Sequence, residues 1–173
     1  MKPHATPNEP LLDALNLEAT EQLALDSVQL LLQGTSLHTL KGVSEQQMGT
    51  LYAYAYRFYE QGKLEEAERL FHFLCIYDFH NADYWCGNAA VHQLQGRFQK
   101  AIDLYAMAFA IRSSDYRPMF YSGQCNLALG KPGKARLCFE YAVASLDDPA
   151  LRAQAQAYLD VLSHVAADHS DAD

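Results

Sequence analysis

One spacing constrains this chain more than any other property. Three alanines, Ala67, Ala101 and Ala135, stand 34 residues apart. Five further columns keep the same register. Gly62, Gly96 and Gly130 come five residues earlier, Ala55, Ala89 and Gly123 twelve earlier, and Leu51, Trp85 and Met119 sixteen earlier. Phe71, Tyr105 and Phe139 come four later, and Leu74, Ala108 and Ala142 seven later. Agreement of this kind over three copies means one structural unit stacked on itself, each copy burying its apolar face against the next. Within each copy the apolar residues recur at three and four, the spacing of a helix face. A glycine interrupts them, as expected where one helix stops and its partner turns back.

A period of about 34 residues with a bulky, small, glycine, alanine, aromatic order is the tetratricopeptide signature. The expected fold is therefore all-α. Three tandem tetratricopeptide (helix-turn-helix) repeats form a right-handed superhelix, with N-terminal helices before them and a C-terminal capping helix after. Residues 1–17 read as a flexible tail, 18–43 as an N-terminal helical region and 44–148 as the repeats, at about 48–81, 82–115 and 116–149. Residues 149–166 read as the cap and 167–173 as a disordered tail. Local signals agree. Ser44 with Gln47 makes a capping box. Asn81 and Ser114 are placed to cap the first helices of repeats two and three, and Pro132 suits a first helical turn. Asp148-Pro149 repeats that device for the last helix.

Charge narrows the function. Thirteen Lys and Arg against 21 Asp and Glu leave a formal charge of −8. Direct nucleic-acid binding needs a basic face and is not expected. No apolar run approaches the ~20 residues of a membrane helix. The N-terminus carries no signal-peptide pattern, so the bacterial cytoplasm is the expected compartment once the resemblance below is taken in. The four cysteines, Cys75, Cys86, Cys125 and Cys138, form no CxxC pair and read as reduced, mostly buried thiols. The seven histidines make no HExxH, and no glycine-rich phosphate loop occurs. No metal, cofactor or nucleophile–base set is expected, and the chain does not read as an enzyme.

Which faces are spoken for decides what is left to bind. The small pairs Ala55/Ala67, Ala89/Ala101 and Gly123/Ala135 let the two helices of each repeat approach. Leu51, Tyr54, Ala55 and Phe58 are read as the core columns of the first helix. Asn88, His92, Ser122 and Asn126 fall in columns that are usually apolar, so each should have a hydrogen-bond partner. One step off the core columns, Tyr52, Tyr56 and Tyr59 make a stripe at four-and-three spacing. The equivalent positions are Cys86, Ala90 and Gln93 in repeat two and Phe120, Gln124 and Leu127 in repeat three. An aromatic stripe is most simply core. Here the core columns are already filled, so the stripe reads as the lining of a groove for an extended apolar peptide. Two alternatives stay open: a scaffold whose tyrosines are covered by another part of the protein, and a co-chaperone adaptor that clamps a C-terminal carboxylate. The second needs inward cations, and only Arg117 in repeat three offers one.

Four stretches are more specific than the repeat: LYAYAYRFYEQGKLEEAERLF, FLCIYDFHNADYW, AIDLYAMAFA and DYRPMFYSGQC. Together they resemble class II chaperones of bacterial type III secretion systems, of the SicA/IpgC type, with LcrH/SycD proteins as more distant relatives. The resemblance spans about Leu30 to Leu162. It implies a cytoplasmic chaperone that binds two hydrophobic translocator proteins and keeps them soluble and apart before export. A PxLxxP-like segment near the translocator N-terminus would lie extended in the groove, on tyrosines matching Tyr52, Tyr56 and Tyr59. It also implies a homodimer through the N-terminal helices, which maps to residues 18–34 and the stripe Leu25, Val28, Leu31 and Leu32. Ala106-Met107 matches a part of the family linked to assembly and partner binding. Some SicA-type members partner an AraC-type transcriptional activator, an indirect role compatible with the acidic charge.

Overall fold

The computed structural model describes residues 36–170. The expected helix over 18–33 and its stripe Leu25, Val28, Leu31 and Leu32 lie outside the described residues, as does the tail 1–17. The described part is all helix: α1 (Leu37–Leu40), α2 (Glu45–Glu60), α3 (Leu64–Tyr77), α4 (Ala82–Leu94), α5 (Phe98–Ile111), α6 (Arg117–Ala128), α7 (Pro132–Ser145) and α8 (Pro149–Ser170). From α2 onward each helix packs chiefly on its neighbours in sequence. That is the contact pattern of a stacked-repeat solenoid, with α2/α3, α4/α5 and α6/α7 as three tetratricopeptide hairpins.

The local code is read directly in the caps. The Gln47 amide nitrogen donates to Ser44 Oγ at 3.2 Å, and the Ser44 amide donates back to Gln47 Oε1 at 2.8 Å, closing the capping box. Gly62 sits at φ +70°, which only glycine adopts without strain. Its turn lets the Lys63 amide reach back to Phe58 O at 2.9 Å, satisfying a carbonyl at the end of α2. The same bond recurs after α4, from Arg97 to His92 O, and after α6, from Lys131 to Asn126 O. Asp148 Oδ1 accepts from the Ala150 and Leu151 amides at 2.8 and 3.2 Å and starts α8.

Three readings shift. Ser114 does not cap α6. The acceptor is Asp115, whose Oδ1 takes the Arg117 amide at 3.0 Å, because Pro118 moves the helix start two residues on. Residues 167–170, expected in a disordered tail, continue α8, since no glycine or proline follows Val165 to stop it. Tyr54, placed in a core column, is 51% exposed. At about 100° per residue it points away from Ala55, which is fully buried.

The small columns behave as expected: Ala55, Ala67, Ala89, Ala101 and Ala135 have no exposed surface. The aromatic column, Phe71, Tyr105 and Phe139, is buried beside them. One close approach was not legible in the repeat. A Cβ on Gly87 of α4 would lie 2.2 Å from Cε1 of Phe71, so the Phe71 ring fills the space that a side chain would take. Gly87→Ala gains roughly 1 kcal/mol of helix propensity. Overpacking against a ring that is itself buried and cannot retreat costs ~1–3 kcal/mol and decides the sign. Gly87→Ala should unfold at lower urea, and adding Phe71→Leu should recover part of the loss. An unchanged midpoint for Gly87→Ala alone would contradict this packing.

The buried polar residues meet the expectation in part. Asn126 Nδ2 donates to Ser122 O at 2.9 Å, and the Asn88 side chain bonds the Cys75 thiol. His92 Nε2 lies 3.7 Å from Glu68 Oε1. The Asn88 Oδ1 and His92 Nδ1 atoms have no protein partner among the described residues.

Candidate functional site

The first helices of the hairpins line up along one side of the stack, and a cavity of about 440 Å³ opens between them. Its walls come from α2, α4 and α6, and Tyr105 of α5 reaches into it from behind. On α2, Tyr52 and Tyr59 lie beside the buried stripe of Met48 and Ala55, while Tyr56 stands further out at 48% exposure. Tyr56 and Tyr59 form a tilted pair with ring centroids 6.0 Å apart. Tyr52 has two roles. It edges Phe71 at 6.0 Å and meets Tyr84 at 5.5 Å, so part of the ring belongs to the first repeat's core. Burial raises the phenol pKa of Tyr52 and of Tyr59, so both hydroxyls stay protonated donors.

The small residues Cys86 and Ala90 of α4, with the backbone of Gly87, line the cavity beside the tyrosines and make a low floor. Burial pushes the Cys86 thiol up to about 12, which makes it a small apolar surface and not a nucleophile. A line of hydrogen bonds runs along the bottom of the cavity. Tyr105 Oη donates to Gln93 Oε1 at 2.9 Å, Gln93 Nε2 to Gln124 Oε1 at 3.1 Å, and Gln124 Nε2 to the Tyr158 hydroxyl at 3.3 Å. It links repeat two, repeat three and the capping helix α8. Tyr158 also stacks on Phe139 with centroids 4.7 Å apart.

One end of the cavity is charged but balanced. Arg112 grips Asp83 with both terminal nitrogens at 3.1 Å. Arg117 reaches Asp83 at 3.3 Å and Asp115 at 2.6 Å. Burial works to raise the Asp115 carboxyl, but the hydrogen bonds from Arg117 outweigh it and hold the carboxyl below its usual value. Arg117 is correspondingly raised, chiefly by its bond to Asp115. The inward cation is thus already neutralised within the protein. The other end carries Leu94, 57% exposed, and is apolar.

The structure brings together Tyr52, Tyr56, Tyr59, Cys86, Ala90, Gln93 and Gln124, and leaves out Phe120 and Leu127. Phe120 is 1% exposed and lies against Phe139 and Tyr158. Leu127 packs on the same third-repeat cluster. The 34-residue register made them equivalents of Tyr52 and Tyr59, but in repeat three Tyr158 of α8 covers Phe120, and Leu127 packs into the same cluster. The lining of α6 is Arg117, Tyr121 and Gln124, at the same four-and-three spacing, and their equivalents 34 residues earlier, Asp83, Gly87 and Ala90, line the cavity on α4. Tyr121, stacked on Tyr105 with centroids 5.6 Å apart, was missed, and so were Asp83, Gly87, Leu94 and Tyr105. A second stripe carried through α4 and α6 in the same register would have found Asp83, Gly87 and Tyr121. Among the described residues no group of His, Cys, Asp and Glu is placed to hold a metal ion, and no helix is long and apolar enough to cross a membrane.

Comparison with known proteins gives this geometry a setting. The tetratricopeptide repeat model matches residues 50–81 and 82–115. The chaperone protein SicA of Salmonella typhimurium is 49% identical over 145 residues, covering 84% of this chain and 86% of SicA. Among solved structures, PcrH of Pseudomonas aeruginosa in complex with the chaperone binding region of PopD superposes with a TM-score of 0.68 at 31% identity, covering 71% of this chain and 96% of PcrH. PcrH in complex with the chaperone binding region of PopB does so with a TM-score of 0.65 at 32% identity, covering 68% and 98%.

Proposed function

The chain belongs to the class II translocator chaperones of type III secretion systems, the tetratricopeptide family that includes SicA, and from that premise we propose what its cavity holds. The occupant is an extended segment, PxLxxP-like, from near the N-terminus of a hydrophobic translocator protein. Binding it in the bacterial cytoplasm keeps the translocator soluble and competent for export. The observation that carries this reading is the composition of the cavity: Tyr52, Tyr56 and Tyr59 line it together with the small residues Cys86 and Ala90 and the backbone of Gly87. Rings on one side and almost no side-chain height on the other suit a narrow apolar chain whose main chain comes close. That PcrH has been solved with the binding regions of both PopB and PopD supports a groove of this kind and two translocator partners.

The same premise includes a homodimer through residues 18–34 and, after the translocators have left, an AraC-type activator as a second partner. With a formal charge of −8, the DNA contacts would be the activator's. A carboxylate clamp is disfavoured, because Arg117, the inward cation, is bound to Asp83 and Asp115.

Co-expression tests the reading. Each translocator of the same secretion system, produced with the tagged chaperone, should move from the insoluble fraction to a soluble complex that survives affinity purification. Deleting the translocator's N-terminal segment should abolish capture. Undiminished capture of the truncated translocator would refute the groove as the binding site.

A further inference from the structure

We infer that Gln93 and Gln124 read the main chain of the bound segment, so that the groove recognises an extended backbone as well as particular side chains. The inference rests on the groove reading above and adds to it the chemistry that holds the peptide.

The argument begins with hydrogen-bond capacity. A glutamine amide offers two N–H donors and a carbonyl with two lone pairs. In Gln93 the carbonyl takes the Tyr105 hydroxyl, and one N–H goes to Gln124. In Gln124 the carbonyl takes that bond, and one N–H goes to Tyr158. These bonds lock the rotamers and orientation of both amides, because each amide is held at its oxygen and at its nitrogen. Each then keeps one N–H uncommitted, and both side chains line the cavity and are half-buried. Fixed donors of this kind cost little ordering on binding.

Spacing suits a main chain. The two nitrogens are separated by one amide width plus the 3.1 Å bond between the side chains. Carbonyls on the same edge of an extended chain recur every two residues, about 6.6 Å. The donors are closer together than the carbonyls, so two successive same-side carbonyls meet them through bonds that converge on the pair. Cys86, Gly87 and Ala90, which line the same cavity, allow the backbone to come that close. The aromatic wall of Tyr52, Tyr56 and Tyr59 then takes side chains from one face of the extended chain.

This explains how one groove can take different sequences. PcrH, whose fold this chain shares, is known with binding regions of two different proteins. Beyond a shared PxLxxP-like pattern, what two sequences have in common is their backbone, and main-chain donors with apolar walls are the general means of binding an extended peptide with limited side-chain demand.

The test is a cycle on a wild-type binding peptide, fluorescein-labelled and taken from the N-terminal region of a co-purifying translocator. Single main-chain esters are introduced along it, since an ester carbonyl is a poorer acceptor than an amide. In the wild-type chaperone, esters at two positions two residues apart should weaken binding by about five- to tenfold each, the size of a lost hydrogen bond. In Gln124→Leu one of those esters should cost nothing further, because its donor is already gone. If Gln124→Leu alters the circular dichroism spectrum, Gln124→Glu keeps the shape and removes the donors. An ester penalty that is the same in wild type and variant would overturn the inference while leaving the groove in place. A peptide that binds equally well to Tyr56→Ala would instead overturn the groove reading on which it rests.

Discussion

Ala101→Glu should leave no cooperative thermal transition at 25 °C and above. Ala101 has no exposed surface and sits between Ala89, Tyr105 and Cys125, where α4, α5 and α6 meet. A glutamate there has to overpack three helices and bury a carboxylate with no cation beside it. Overpacking alone costs ~1–3 kcal/mol, and an unpaired buried charge adds several more. Domains of this size are stable by about 5–15 kcal/mol in total. In a solenoid the loss is not confined to one repeat, because repeat two is the neighbour on which both others depend. The control is Ala110→Glu on the same helix, where the side chain is exposed and the change should stay within about 0.5 kcal/mol. Melting both variants by circular dichroism checks the argument. A wild-type midpoint for Ala101→Glu would mean that the repeat register is wrong.

The second large effect is on binding. Tyr52→Ala with Tyr56→Ala should weaken translocator peptide binding by about 3–4 kcal/mol, since each tyrosine is placed as a hot spot. That is a factor of several hundred in Kd. The two positions are not equivalent probes. Tyr52 also packs against Phe71 and Tyr84, so its removal lowers the melting temperature as well as the affinity. Tyr56 is half exposed and, among the described residues, its ring pairs with Tyr59 alone, so Tyr56→Ala should lose affinity at unchanged stability. Tyr52→Phe keeps the ring in place and isolates the hydroxyl. Calorimetric titration with the same peptide reads all of these. A double variant that binds as wild type would remove the tyrosine wall from the mechanism.

Cys86 shows why residue type alone says little about such a site. A thiol in a groove invites a reactive role, yet burial holds it protonated up to about 12. Its use here is to be small. Arg117 makes the same point in charge: the inward cation that a carboxylate clamp would need is consumed by Asp83 and Asp115. Both conclusions come from neighbours brought close by folding.

By itself the sequence determined the hairpins, most of their caps and the small-to-aromatic contacts inside each repeat. Those depend on residues within a few turns of one another: Ser44 with Gln47, Gly62 at the end of α2, Ala55 against Ala67. They recur every 34 residues because the unit that buries them recurs. Only the tertiary structure decided which face of each helix is left open. A column that lines the cavity as Tyr52 is core as Phe120, because α8 lays Tyr158 over it, while Tyr121 and Arg117 line the cavity beside it. A repeat register carries residue spacing but not which neighbour covers each column. That is set by how the side chains of neighbouring helices interlock, in contacts such as Phe71 against Gly87 and Phe120 against Tyr158.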